Sequence, residues 1–436
     1  MASLSLDEQY EIITRGADEV ISPEELKDKL SLDRPLVVKA GFDPSAPDIH
    51  IGHTVLLRKM RHFEEIGHRV FFLIGDFTGR IGDPSGKSKV RKQLSAGEVD
   101  ENSKTYRKQI FKILDPSKTR VIFNSEWCGK LGAEGIFDLS SRYTVARMLE
   151  RDDFANRFSN NAPISILEFL YPILQGYDSV VMEADIELGG TDQKFNLLVG
   201  RGLQRNYAGE ERVPRYLSES ISAFRRANGS DRDLKVPVKF VPQVIMTMPI
   251  LEGLDGVEKM SKSLNNYVGI DEAPEEIFGK IMSISDDLMW RYYELLTDED
   301  MSQIKSDVEA GRIHPKEAKA RLAGSIVSEY HGEKAADEAR ARFEKIFARK
   351  EEPDDMPLFI AEKRDVTVME LIRSCGFARS SSEARRLTEQ GAVTIDGKRA
   401  VDPLESVELE DNPVVLKVGK RKFCKVKAPS GGQGEK

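Results

Sequence analysis

The sequence is poor in cysteine: three in 436 residues, Cys128, Cys375 and Cys424, odd in number and widely separated. That pattern excludes a disulfide framework and fits reduced thiols in a cytoplasmic protein. CxxC pairs are absent, so no structural zinc site is expected. No apolar run approaches the roughly 20 residues a helix needs to cross a bilayer, so no membrane association is expected. The N-terminal stretch MASLSLDEQYEII is acidic and amphipathic, unlike a secretory signal. Internal repeats are lacking, and low complexity is confined to the glycine-rich tail APSGGQGEK.

What is present describes an ordinary soluble protein, 40% hydrophobic and 32% charged. The length allows roughly two or three domains. Charge is unevenly spread. Residues 366–427 hold 12 Lys/Arg against 9 Asp/Glu, or +3, and the tail after them is neutral; the first 365 residues therefore carry −11 of the net −8. An acidic body with a basic end points to a small module that meets an anion, although a chance surface imbalance would look the same.

Residues 1–235 read as a doubly wound α/β domain with a parallel sheet. PLVVKAGF is a short β-branched strand, DPSAPD a turn-rich loop, and HTVLLRKMRHFEEIGH a helix. In that helix Leu56, Met60, Phe63 and Gly67 recur at helical spacing, with Gly67 placed to end it. HRVFFLIGDF is a second strand, which completes a βαβ unit. TRVIFNS and EADIELGG read as further strands, and SSRYTVARMLERDDFANRF as a helix. Residues 236–350 turn helical, and 351–365 read as a charged linker. Residues 366–427 form a small α+β unit of two short helices, a TIDGKRA hairpin and a strand pair. The tail, 428–436, is expected to be disordered.

The stretch PDIHIGH places His50 and His53 three apart, at a strand-loop to helix junction. Three readings stand at this point. A helix N-terminus carries free N–H groups and about half a positive charge, which suits phosphate; Gly52 would let a ligand approach closely. The histidines could simply cap the helix. A metal site would need further ligands, and His62, His68, His314 and His331 show no ligand spacing. About two hundred residues later comes EKMSKS, with Lys259 and Lys262 around Met260 and Ser261 and before Ser263. Alone it would be a solvated basic loop. The two motifs in this order resemble those of the class I aminoacyl-tRNA synthetases.

Three more stretches narrow the resemblance. In ISILEFLYPILQGYDSV, Tyr171, Gln175 and Asp178 share one helical face. An aspartate and a glutamine there line solvent or a polar pocket, since burial would leave them unsatisfied. Pro172 predicts that this helix begins near it. With ELGGTDQKFN and GDPSGKS (Asp83, Lys87), the chain from about Leu36 to Val426 resembles the bacterial tyrosyl-tRNA synthetases, in the branch with KMSKS rather than KFGKT.

The resemblance implies ATP-dependent ligation of L-tyrosine to tRNA(Tyr) through an enzyme-bound tyrosyl-adenylate. It assigns Asp83, Tyr171 and Gln175 to the tyrosine ammonium and Asp178 to the phenol hydroxyl. Asp192, with Gly190 and Gln193 beside it, would contact the ribose, and Gln193 would also belong to the tyrosine site; Gly41 and Asp43 would floor the adenylate site. His50, Gly52 and His53 would meet ATP phosphates, and Lys259 to Ser263 would clamp pyrophosphate. Magnesium would travel with ATP, and no protein metal site is expected. In the basic unit, Arg379, Arg385, Arg386, Lys420, Arg421 and Lys422 would contact tRNA phosphates. A homodimer through an insertion near residues 126–170 and a cytoplasmic location are also implied. Tyrosyl-tRNA synthetase is itself the reference case for rejecting phenylalanine by about 10⁵ without editing, so no editing domain is expected.

Two positions depart from the family pattern. Lys39 stands where many relatives have a tyrosine that touches the phenol hydroxyl, so Lys39 or Asp76 is expected to take over. Glu187 stands where the other branch has glutamine. Three other readings compete. GDPSGKS leaves three residues between its glycines where a P-loop needs four. A tryptophanyl-tRNA synthetase would have little use for Asp178. A non-catalytic RNA-binding relative has no need of intact His50, His53, Lys259 and Lys262.

Overall fold

The structure is a computed structural model and describes residues 4–44, 48–84, 94–228, 240–347, 356–378, 380–419 and 422–429. Two compact units divide it, residues 1–340 and 341–436.

The first unit is built on a six-stranded sheet. Its strands are β1 (Glu19–Ile21), β2 (Val37–Phe42), β3 (Arg69–Ile74), β4 (Arg120–Phe123), β5 (Ile186–Gly190) and β6 (Val244–Met248), in the order β1-β6-β5-β2-β3-β4. From β6 to β4 all neighbours are parallel; β1 is an antiparallel edge. The parallel strands β2 and β3 are almost continuously apolar because helices cover both faces. The sequence marked β2 to β5 but neither β6 nor the edge strand β1.

Between β2 and β3 runs α1 (Ile51–Glu65), with Gly67 just beyond it at φ +93°, a left-handed conformation that glycine adopts without strain. The segment read as one helix over SSRYTVARMLERDDFANRF is broken into Gly132–Ser141, Val145–Met148 and Asp152–Ser159. Thr144 is extended and its side chain accepts from Arg147 N–H, so a new helix starts there. Pro172 does not begin its helix. That helix, α2, spans Ile166–Val181 with Pro172 inside. Ser165 and Glu168 form a capping box upstream, and Arg157 pairs with Glu168 at 2.5 Å. The proline forfeits one helical hydrogen bond, and the cap offsets that loss.

α2 packs on α3 (Lys194–Ala208) through facing glycines: a Cβ on Gly176 would sit 3.0 Å from Gly200 Cα. Around this crossing lies a core that includes Phe71, Leu73, Trp127, Tyr177, Val199 and Leu203. The helices Pro274–Met282, Asp286–Leu296, Met301–Glu309 and Pro315–His331 belong to the same compact unit as the sheet. Arg58 on α1 explains part of that union, reaching Asp298 at 2.6 Å and Glu329 at 2.5 Å.

The second unit has a five-stranded sheet in the order β10-β9-β12-β13-β7 and a β8-β11 pair. The strands are β7 (Leu358–Ile360), β8 (Asp365–Thr367), β9 (Val393–Ile395), β10 (Lys398–Arg399), β11 (Ser406–Glu408), β12 (Val414–Val418) and β13 (Lys422–Lys427). Asp396 and Gly397 both have positive φ and turn the β9-β10 hairpin. Helices α4 (Val368–Ser374) and α5 (Ser381–Glu389) cover a core that includes Val368, Leu371, Val393, Leu416 and Val426. β7 lies within the stretch read as a linker; it pairs in parallel with β13.

Candidate functional site

A cavity of about 580 Å³ opens at the carboxyl ends of β2, β3, β5 and β6. From β2 the chain steps outward to β3 and β4, then returns across β2 to β5. Such a switch point is where open α/β sheets bind ligands. Gly41, Asp43, His50, Gly52, His53, Asp83, Tyr171, Gln175, Asp178, Gly190, Asp192 and Gln193 line this cavity, as do Lys259, Met260, Ser261, Lys262 and Ser263. Residues from five separate stretches of sequence thus meet in one place.

On one side lies the start of α1. His50 is its N-cap, and His53 sits in its first turn. Their ring centroids are 3.8 Å apart. His50 N–H donates to His53 Nδ1 at 3.3 Å, which leaves the proton of a neutral His53 on Nε2. Burial, then His53 and Lys262, lowers the His50 pKa to about 2; burial, then Lys262, lowers that of His53 to about 4. Both imidazoles are therefore neutral at physiological pH. The buried Nδ1 of His50 has no hydrogen-bonding partner among the described residues. A Cβ on Gly52 would lie 3.0 Å from the His50 ring, so glycine keeps that approach clear.

Facing them is the lysine-bearing loop. Met260 is buried and its N–H donates to Leu251 C=O at 2.9 Å, while Ser261 N–H donates to Asn266 Oδ1 at 2.8 Å. Those anchors project Lys259 toward Asp192 Oδ2 at 3.5 Å and Lys262 toward Asp48 Oδ2 at 3.0 Å. The two ammonium groups thus stand on the cavity wall, and Lys262 is near enough to the helix N-terminus for its charge to act on both imidazoles.

Deeper in, Asp43 accepts from Tyr171 Oη at 2.9 Å and Thr78 Oγ1 at 3.0 Å. Gly75 is required beneath it, since a Cβ would sit 2.1 Å from Asp43 Oδ1. Asp83 accepts from Gln193 Nε2 at 2.8 Å. At the floor, Asp178 accepts from Trp127 Nε1 at 2.7 Å on Oδ1 and Asn124 Nδ2 at 3.3 Å on Oδ2. Burial raises its pKa to about 6, against the lowering effects of Lys39, Trp127 and Asn124. With that value it is largely ionised at pH 7, its charge held by Trp127, Asn124 and Lys39.

Lys39 and Asp76 do not join this lining. Lys39 is fully buried and paired with Glu187 at 2.9 Å. Asp76 accepts from Ser125 N–H at 2.9 Å and Ser125 Oγ at 2.6 Å. The expectation that one of them contacts a ligand is corrected: β2 carries Lys39 below the floor, and the first residues after β4 hold Asp76. The sequence reading missed Asp48, Thr78, Gly75, Asn124 and Trp127. Asn124 and Trp127 follow β4 within NSEWC, and no spacing there signals a site. Of the basic residues in the second unit, Arg385 and Arg386 are exposed on α5 and Lys422 is exposed at the start of β13. Arg379, Lys420 and Arg421 lie outside the described residues, as do Lys87 and residues 430–436.

Two family models cover most of the chain. One described as tRNA synthetases class I (W and Y) matches residues 31–348, and one described as the tyrosine–tRNA ligase SYY-like C-terminal domain matches residues 349–426. The tyrosine–tRNA ligase of Oleidesulfovibrio alaskensis is 52% identical over 97% of this chain and 99% of its own. That of Geobacter sulfurreducens is 51% identical over the same shares. Among solved structures, a C-terminally truncated mitochondrial tyrosyl-tRNA synthetase from Aspergillus nidulans shares the fold, with a TM-score of 0.62 and 22% identity over 79% of this chain and 94% of that one. A tyrosyl-tRNA synthetase from Archaeoglobus fulgidus, complexed with L-tyrosine, gives 0.58 and 20% over 77% and 100%. Half the residues are shared along nearly the whole length of these relatives, and the chain belongs to the tyrosine–tRNA ligase family of class I tRNA synthetases.

Proposed function

We infer that this chain charges tRNA with tyrosine, using ATP. The observation that carries the inference is the single cavity that gathers a helix N-terminus, two loop lysines and a buried carboxylate on the switch point of the sheet. In the first step a carboxylate oxygen of tyrosine bonds to the α-phosphorus of ATP and pyrophosphate leaves. A protein nucleophile is not needed. Two anions must be aligned and the charge growing on pyrophosphate stabilised. Neutral His50 and His53 hydrogen-bond phosphate oxygens, and Lys259 and Lys262 supply the positive charge. Asp192 and Gln193, with Gly190, take the ribose, over a floor of Gly41 and Asp43. Asp83, Tyr171 and Gln175 hold the substrate ammonium, and Asp178 accepts from the phenol hydroxyl. In the second step a terminal ribose hydroxyl of tRNA takes the tyrosyl group and AMP leaves.

Magnesium enters on the ATP phosphates. Phosphate oxygens are the hard ligands that this ion prefers. The second unit binds tRNA through Arg385, Arg386 and Lys422, with the residues before it, from about 236, serving the tRNA side of the first unit. The compartment proposed is the cytoplasm, where bacterial tRNA is charged. Separately, among the described residues no helix is long and apolar enough to cross a membrane. The proposed assembly is a homodimer, with Phe137, Val145, Phe158 and Ile166, each 60–80% exposed within residues 137–166, as the apolar side chains a partner would cover. A non-catalytic RNA-binding relative is not favoured.

The test is exchange of labelled pyrophosphate into ATP without tRNA. Exchange driven by tyrosine and not by phenylalanine or tryptophan is expected. Exchange with tryptophan instead, or with none, would overturn the reading.

A further inference from the structure

Lys39 and Glu187 face each other in the middle of the sheet. They are register partners on β2 and β5, with Lys39 Nζ 2.9 Å from Glu187 Oε1 and at most 1% of either side chain exposed. Burying two charges is costly, and neutral side chains of the same volume often hold a fold as well or better. The pair therefore calls for a reason beyond packing.

Its surroundings supply one. Lys39 Nζ donates to the backbone carbonyl of Gln175 at 3.4 Å. Glu187 accepts from Gln175 Nε2 at 3.4 Å, from Ser179 Oγ at 2.9 Å and from Gln243 Nε2. Both members thus hold one turn of α2, residues 175–179, the turn that presents Gln175 and Asp178 to the cavity. Gly200 allows the close packing: a Cβ there would lie 3.0 Å from Ser179 Oγ and 3.3 Å from Glu187 Oε2.

We propose that Lys39 and Glu187 act as a positioning pair for tyrosine selection, fixing the Gln175–Ser179 turn from beneath and setting the positive charge that faces Asp178. The proposal rests on the reading of Asp178 as the acceptor of the phenol hydroxyl. A hydrogen bond to a carboxylate is stronger than one to a carboxylic acid, so the charge on Asp178 matters to affinity. Four titratable groups act on Asp178. Lys39 from β2 favours its ionised form, and Glu187 from β5 opposes it more weakly. Cys128, after β4, also feels Asp76; burial pushes its thiol up, so it stays neutral. Tyr177, beside Asp178 on α2, stays neutral for the same reason. Lys39 is the cation among them.

The experiment uses the full chain and tyrosine-dependent pyrophosphate exchange across pH 5 to 9, with KM for tyrosine and for ATP measured separately. The variants are Lys39→Met and the double variant Lys39→Met/Glu187→Gln. In Lys39→Met the KM for tyrosine is expected to rise about twofold at pH 7 and close to tenfold at pH 5, as a one-unit shift of the limb requires, while that for ATP stays within about twofold at both. The acid limb of kcat/KM for tyrosine, near pH 6 in the parent, is expected to move up by about one pH unit. The double variant leaves no unpaired charge and so keeps the test open if Lys39→Met fails to fold. Its acid limb is expected to move in the same direction, by less. An unmoved limb in the double variant, or equal losses for tyrosine and ATP, would overturn the proposal. A parent enzyme with no acid limb at all would overturn the reading of Asp178 itself, and the proposal with it.

Discussion

Lys262 Nζ lies 3.0 Å from Asp48 Oδ2, on the cavity wall beside the His50–His53 pair, whose imidazoles feel its charge. The loop lysine is held by a carboxylate on the strand-loop side. ATP phosphates offer it a denser charge. Lys262→Ala should therefore slow tyrosine-dependent pyrophosphate exchange by about 10²-fold or more through kcat. Tyrosine binding, measured by calorimetry, should be unchanged. A loss confined to tyrosine affinity would contradict the assignment of Lys262 to pyrophosphate.

Asp178 decides between tyrosine and phenylalanine in this reading. Asp178→Asn keeps the shape and removes the charge. The kcat/KM for tyrosine should fall at least about 10²-fold, while that for phenylalanine barely changes, so the ratio between them narrows. Asp178 has a pKa raised to about 6 by burial. Protonation as pH falls through that value removes the charged acceptor, so tyrosine affinity should be full above pH 7 and decline below 6. His50 and His53, at about 2 and 4, cannot produce that limb.

The exposed apolar group in the 126–170 stretch gives a test of assembly. Phe137→Glu with Ile166→Glu should convert a dimer to a monomer in light scattering after gel filtration. Both side chains are exposed in the single chain, at 73% and 80%, so folding, read by circular dichroism, should be retained. A parent protein that is already monomeric would refute the dimer.

Asp185 ties the N-terminal segment to the sheet. It accepts from Arg34 at 2.7 and 2.8 Å and from Val37 N–H at 2.9 Å, with Lys29 at 3.5 Å. Asp185→Ala leaves Lys29 buried without its partner and should cost about 3–5 kcal/mol in denaturant unfolding. Burial works against the charge of Asp185, but Arg34, Lys29 and the Val37 N–H hold its pKa below the ordinary carboxylate value of 3.8. A depressed carboxylate stabilises above its unfolded pKa and loses that stabilisation as pH falls through the folded one. This contribution should therefore be intact at pH 5 and vanish only below about pH 4.

For the second unit, Arg385→Glu with Arg386→Glu should leave pyrophosphate exchange at the parent rate and weaken tRNA charging, with a shallower salt dependence than the parent's because fewer phosphates are neutralised. Both arginines are exposed on α5, so the unit should remain folded. Equal loss of both steps would contradict a role confined to tRNA.

The local chemistry of the site was legible in the sequence. A histidine pair at a helix start, a lysine loop and a polar helix face each depend on residues within one turn of each other, so backbone geometry alone places them. The Leu56–Gly67 spacing marked α1, and Asp396–Gly397 marked its hairpin, for the same reason. Other features depended on which strands lie side by side. Lys39 meets Glu187 because β2 and β5 are neighbours in register, although 147 residues separate them. Trp127 and Asn124 meet Asp178 because the segment after β4 lies against the last turn of α2. Helix limits also escaped local reading: Pro172 sits inside α2 because Arg157, from another helix, supports the capping Glu168. The sequence by itself determined which chemical groups the site would have. The tertiary structure alone decided which of them line the cavity and which are buried beneath it, because packing and strand register bring together residues that no spacing along the chain relates.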